Sequence, residues 1–162
     1  MADISNYLVC RHVRSERSSH LLMYRHGRLT RSGRGMSFWF VPLSASIAEL
    51  PVDDQELAFM FHGRSSDFQD VSAQGVITYR VVAPETLSER IDFSIDLSSG
   101  HHLKQPFEQL SSLLTELAQQ LAYGYIGTTP IREVLTEGLD TIRLRIERGL
   151  EADDNLAAIG IE

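Results

Sequence analysis

Residues 70–82 read Asp-Val-Ser-Ala-Gln-Gly-Val-Ile-Thr-Tyr-Arg-Val-Val. Val71, Ala73, Ile77, Tyr79 and Val81 fall on one face at period two, while Ser72, Gln74, Thr78 and Arg80 fall on the other. Val76 and Val82 break the pattern. One apolar and one polar face is the mark of a strand half-buried in an antiparallel sheet. This reading predicts that Ile77, Tyr79 and their face point into a core. Ala83-Pro84-Glu85 ends the strand, and Pro84 suits the first turn of a short helix through about Arg90.

Upstream the same texture recurs. Tyr7–Cys10, His20–Tyr24, Phe38–Val41, Ile47–Leu50 and Leu57–Phe61 are short β-prone runs. His26-Gly27-Arg28 and Ser32-Gly33-Arg34-Gly35 supply turn residues, and Pro42 stops the aromatic run. Downstream the period changes. Phe107, Leu110, Leu114, Leu117 and Leu121 step by three and four, as one face of an amphipathic helix does. Pro106 opens it, and Gly124 and Gly127 close it. Thr129-Pro130 starts a second helical segment, with Thr129 as N-cap and Gly138 dividing it. Leu139, Ile142, Ile146 and Leu150 then form a stripe that runs to Gly160, and Ile161-Glu162 begin something new. Strands first and helices second give an α+β fold: a twisted antiparallel sheet with C-terminal helices packed on it. Residues 1–162 are expected to form one domain, with 1–100 mainly strands and 101–162 mainly helices.

The chain has 162 residues, of which 43% are apolar and 23% charged. That is ordinary for a single folded domain and unlike a disordered chain. Cys10 is the sole cysteine, so neither an intrachain disulfide nor a cysteine-based zinc site can form. The longest apolar run, 36–43, falls well short of the roughly 20 residues that span a bilayer. Net charge is −7 and unevenly spread. Residues 1–34 carry seven arginines against Asp3 and Glu16, while residues 35–162 carry eight basic and twenty acidic groups. Such asymmetry points to an anionic partner for one end of the chain.

Catalytic signatures are missing. There is no G-x-S-x-G elbow, no H-E-x-x-H, no C-x-x-C and no phosphate-binding glycine loop. His101 and His102 are adjacent, and neighbouring side chains seldom reach one ion. Cys10-x-His12 offers two ligands with no third in view. The expectation is a chain that is not an enzyme, with no cofactor and no metal. The strongest charge feature is Arg25, Arg28, Arg31 and Arg34. Arginines near an anionic bilayer contribute about 1 kcal/mol each. Phe38, Trp39 and Phe40 follow, and aromatic rings beside cations suit the lipid interface. Strand alternation sends at least one of the three inward. Nucleic acid is the weaker alternative, because no aromatic ladder for base stacking is interleaved with the arginines.

Four stretches of this chain resemble the stomatin/prohibitin/flotillin domain, also called the SPFH or band-seven domain. They are His26-Gly27-Arg28 with Gly33–Phe38 and Val41-Pro42; Phe61–Val82 with Ser66-Asp67 and Val-Ile-Thr-Tyr-Arg-Val; Ala83-Pro84-Glu85; and Ile131–Leu135 with Ile142, Ile146 and Ala158–Ile161. The likeness covers about residues 5–162. It departs from the family in three ways: no N-terminal hydrophobic anchor, no final strand and coiled-coil helix after Glu162, and Gly138-Leu139 where an arginine usually opens the long helix.

The resemblance implies a non-catalytic, membrane-associated oligomeric scaffold that organises membrane microdomains or regulates partner proteins. The alternative it leaves open is a soluble oligomeric adaptor or shell of the same fold without membrane contact. The implied partners are further copies of the chain, an anionic lipid surface, and a membrane protease or channel. Strong self-association is expected to need residues beyond Glu162. The implied location is the cytoplasmic side of a membrane as a peripheral protein, or else the cytosol.

Overall fold

A computed structural model describes residues 3–6 and 10–162 of the chain. Among these residues eight strands precede four α-helices: β1 Asp3–Asn6, β2 Arg11–Arg14, β3 Ser19–Arg25, β4 Arg28–Arg34, β5 Ser37–Phe40, β6 Ala45–Pro51, β7 Gln55–Arg64, β8 Asp70–Tyr79, α1 Pro84–Arg90, α2 Pro106–Ile126, α3 Ile131–Glu151 and α4 Asp154–Ile159. The α+β class follows directly. The strands do not form one sheet, however. They are shared among three small sheets, ordered β1-β2-β5, β4-β3-β6 and β7-β8. The strand expected over Tyr7–Cys10 falls mostly on residues 7–9, outside the described residues.

The chain divides into two compact units. The first holds residues 1–55, 80–109 and 159–162; the second holds 56–79 and 110–158. In the first unit β3 is the central strand, paired antiparallel with β4 on one side and β6 on the other. A strand covered on both faces should read as a continuous apolar run, and Leu21, Leu22 and Met23 are all buried. Leu21 and Met23 join Val13, Phe38, Phe40, Ile47 and Ile95 in one apolar cluster. On the opposite face the Tyr24 hydroxyl meets Ser88 Oγ of α1 at 2.9 Å. The unit closes with residues 160–162 running antiparallel to 80–82. Arg80 and Glu162 exchange both main-chain hydrogen bonds, at 2.7 and 3.0 Å, and Ile161 bridges Val81.

The β3–β4 turn is two residues long. His26 and Gly27 hold φ of 49° and 75°, the pair of positive angles that a type I′ hairpin turn demands. The strand then runs further than the sequence pattern suggests. Ser32-Gly33-Arg34 reads as a turn, yet these residues continue β4 opposite Leu22, Leu21 and His20. Pairing with β3 overrides local propensity there, and only Gly35, at φ 57°, leaves the strand.

The second unit packs the β7–β8 hairpin with α2 and α3. Phe61, Ile77, Ala118, Ala122, Tyr125, Ile126, Val134 and Ile146 form its core. In β8 the alternation is clean: Val71, Ala73, Ile77 and Tyr79 point inward and Val76 outward. The α2 stripe is rotated from its predicted position. Leu110, Leu114, Ala118 and Ala122 are its buried row, with Leu117 and Leu121 at the flank.

Helix α3 crosses Gly138 without a break, since Gly138 is itself buried against Val134 and Tyr125. Thr129 does not cap α3; the residue at that position is Pro130, which offers no side-chain bond. The cap comes from the hairpin loop instead, where Asp67 Oδ1 accepts the Ile131 N–H at 3.0 Å. The predicted stripe is corrected at one end: Leu139 is 83% exposed, whereas Ile146 is buried. The helix also stops short of Gly160. It ends at Glu151, and the short α4 follows.

Candidate functional site

Arg25 closes β3, and Arg28, Arg31 and Arg34 lie along β4, so all four belong to one hairpin. They are exposed. Cross-strand register decides where each points, because directly opposed residues share a face. Arg25 opposes Arg28, and Arg31 opposes Met23. A register shift after Met23 keeps both pairs on the Leu21 face. Arg34 opposes His20 and lies on the other face. Arg31 is further tied down, its guanidinium carbon 5.1 Å from the centre of the Phe38 ring, a cation–π distance. The four cations therefore divide into a pair at the tip, Arg25 and Arg28, and a pair along the strand, Arg31 and Arg34.

His20 marks the strand end of this hairpin. Its Nε2 meets Ser32 Oγ at 2.8 Å, while its buried Nδ1 has no hydrogen-bond partner among the described residues. Burial, then the Arg34 charge, push its pKa below the ordinary 6.5, against a smaller opposing pull from Glu85.

The aromatic triplet does not act as a unit. Phe38 and Phe40 are 5% and 2% exposed and belong to the core; the expectation that they contact a membrane is corrected. In β5 the side chains alternate, and of the three aromatic residues only Trp39 faces out, 54% exposed. Its ring centre lies 4.9 Å from that of His12, its cross-strand neighbour in β2, with the two planes tilted by 56°. His12 in turn meets Ser37 Oγ at 2.9 Å.

One residue absent from the sequence reading completes this end of the unit. Pro42–Ser44 form a single 3-10 turn between β5 and β6, and Leu43 within it is 99% exposed. Because Ala45 opposes Arg25, this turn projects from the same end of the β4-β3-β6 sheet as the hairpin tip. Leu43 thus lies at the same end of this sheet as Arg25 and Arg28, four residues along the chain from Trp39. The available signal was Pro42, which removes Leu43 from strand periodicity and leaves it with no face to pack.

Elsewhere the polar groups serve the fold. His102 sits against Phe93 and Phe107, with ring centres at 6.1 and 5.2 Å, and His101 is exposed. His62 Nδ1 and Ser72 Oγ, on the neighbouring strands β7 and β8, meet at 2.7 Å on the exposed face of the hairpin. Hydrogen bonds from Ser94 and Lys104 hold Asp92 down to about 2. Ser98 and Ser99 do the same for Asp96, also at about 2. Among the described residues no three His, Cys, Asp or Glu side chains are grouped to hold a metal ion. Among them, too, no helix is long and apolar enough to cross a membrane.

The sequence model of the SPFH domain / Band 7 family matches residues 16–162. The chain belongs to that family, which supports a scaffold-type role in general. No curated protein matches it.

Proposed function

We propose that this SPFH-domain chain is a non-catalytic scaffold that meets an anionic membrane through the tip of the β3–β4 hairpin and the Leu43 turn. One observation carries the reading: a fully exposed leucine and two exposed arginines at the same end of one sheet. Folding gives Leu43 no burial, so a surface that buries it offers about 1.5–3 kcal/mol of apolar transfer. Arg25 and Arg28 add about 1 kcal/mol each near anionic headgroups. The total, about 3.5–5 kcal/mol, corresponds to roughly millimolar affinity for one copy. Self-association would raise the apparent affinity by about 10² or more, which fits a scaffold that acts in many copies and leaves the isolated chain weakly bound. The same interface would hold a regulated protease or channel nearby.

Co-sedimentation with vesicles tests this reading. The full chain is expected to pellet with vesicles rich in phosphatidylserine and not with phosphatidylcholine alone, and salt should weaken the binding. Arg25→Glu with Arg28→Glu, or Leu43→Asp alone, should abolish it without changing the circular dichroism spectrum. Equal binding by wild type and both variants would overturn the assignment in favour of an adaptor without membrane contact.

A further inference from the structure

We propose that the free edge of β4 is a docking site for an acidic extended segment of a partner protein, which adds as a fourth strand to the sheet β4-β3-β6. This goes beyond the membrane contact, which uses the hairpin tip and the Leu43 turn.

The main chain supplies the first part of the argument. Among the described residues β4 has a single neighbour, β3. The Gly35 N–H donates to Ser19 O at 3.2 Å, which makes Ser19 and Gly35 a hydrogen-bonded pair. Antiparallel pairs alternate between hydrogen-bonded and non-bonded. Leu21–Gly33 and Met23–Arg31 are then bonded pairs, while His20–Arg34 and Leu22–Ser32 are not. The N–H and C=O of Ser32 and Arg34 consequently point away from β3. They form a short ladder of two donors and two acceptors along the open edge. Nearer the tip the ladder is interrupted by Thr30, the extra residue between Leu29 and Arg31 in the register with β3; its hydroxyl donates to Met23 O at 2.9 Å.

Side chains supply the second part. β4 reads Arg-Leu-Thr-Arg-Ser-Gly-Arg and holds no acid. Arg31 and Arg34 flank the open ladder from opposite faces. A second copy of β4 would bring three more arginines and no acid to this edge, and like charges gathered across a strand pair are destabilising. A strand with acidic residues three apart places one carboxylate opposite Arg31 and the next opposite Arg34, again on opposite faces. Main-chain bonds then give affinity and the two ion pairs give register, the usual division in strand addition. A phosphate headgroup matches this edge less well, since it can accept from the N–H groups but cannot donate to the carbonyls.

The test uses the full chain and a capped nonapeptide with glutamate at every third position among threonine and valine. Titration at low salt should slow amide exchange at Ser32 and Arg34 by about tenfold at saturation, with no change at Gly33. Ser32→Pro removes an outward donor at a strand position where proline is tolerated, and it should weaken binding by about tenfold or more. Ser32→Ala keeps the N–H and should bind as wild type does. Should the proline variant fail to fold, Arg31→Glu with Arg34→Glu should lose this peptide and gain one with lysine in place of glutamate. The proposal is overturned by any of three results: no peptide binding at low salt, equal binding by the proline and alanine variants, or protection of Ser32 and Arg34 by anionic vesicles and not by peptide.

Discussion

Asp67 ties a hairpin loop to a helix through one carboxylate. It accepts from Ser65 Oγ at 2.5 Å and from the Ile131 N–H at 3.0 Å. The Ser65 bond is the larger cause of its lowered pKa, and the Ile131 bond adds to it. A carboxyl depressed in the folded state contributes stability that is complete above the ordinary aspartate value, 3.8, and is lost as pH falls below it. Asp67→Asn is therefore expected to flatten part of the acid limb in a urea-midpoint series against pH. His20 works with the opposite charge and the same slope. Its folded pKa lies below 6.5, so the unfolded chain binds the proton first and stability falls as pH drops through 6.5. His20→Gln should remove that early decline and leave the later one. Gly160 is a third single-residue device. Its φ is 78°, and an added Cβ would clash with Ala83 Cβ. Gly160→Ala should cost at least about 1 kcal/mol from the backbone alone, read as a lowered melting temperature.

Among the elements, the β7–β8 hairpin carries the core of the second unit, and Ile77→Ala there should cost about 2–5 kcal/mol on chemical denaturation. A loss below about 0.5 kcal/mol, the size of a surface substitution, would contradict its inward placement. Strand β8 was legible because its period-two pattern holds on both sides of the single break at Gly75 and Val76. Helix α2 was legible as a helix but not in its rotation. Ala118 and Ala122 are among its most deeply buried residues, both 0% exposed, and alanine gives little hydrophobic signal beside the leucines at 117 and 121. Enlarging either, as in Ala118→Leu, should cost about 1–3 kcal/mol by overpacking. The end of β4 was misread because Ser-Gly-Arg carries turn chemistry, and only pairing with β3 reveals it as a strand. Gly138 misled in the same way, since its small size serves packing against Val134 and Tyr125 rather than a helix break. The contact surface was half legible. Four arginines are visible in any reading, but their division into tip and edge depends on register, and Leu43 matters only once its turn lies beside Arg25.

Charge at the scale of the molecule is divided between the two units. The first holds ten basic and eleven acidic residues, the second five and eleven. Net acidity thus belongs mainly to the second unit, while the arginine hairpin belongs to a nearly neutral one. An anionic surface repels such a chain at long range and attracts it only within a Debye length, about 8 Å at physiological salt. Binding should then be short-ranged, salt-sensitive and weak for one copy, and family membership in a scaffold-type group is consistent with a need for many. Trp39 is the only tryptophan in the chain, and it is exposed four residues from Leu43. The most direct test is therefore its fluorescence on titration with vesicles at low salt. Phosphatidylserine vesicles are expected to shift the emission to the blue and to make it quenchable by lipid-borne quenchers, with both effects reversed by salt and absent with phosphatidylcholine. Emission unchanged by anionic vesicles under conditions where the protein is oligomeric would contradict the membrane-scaffold account.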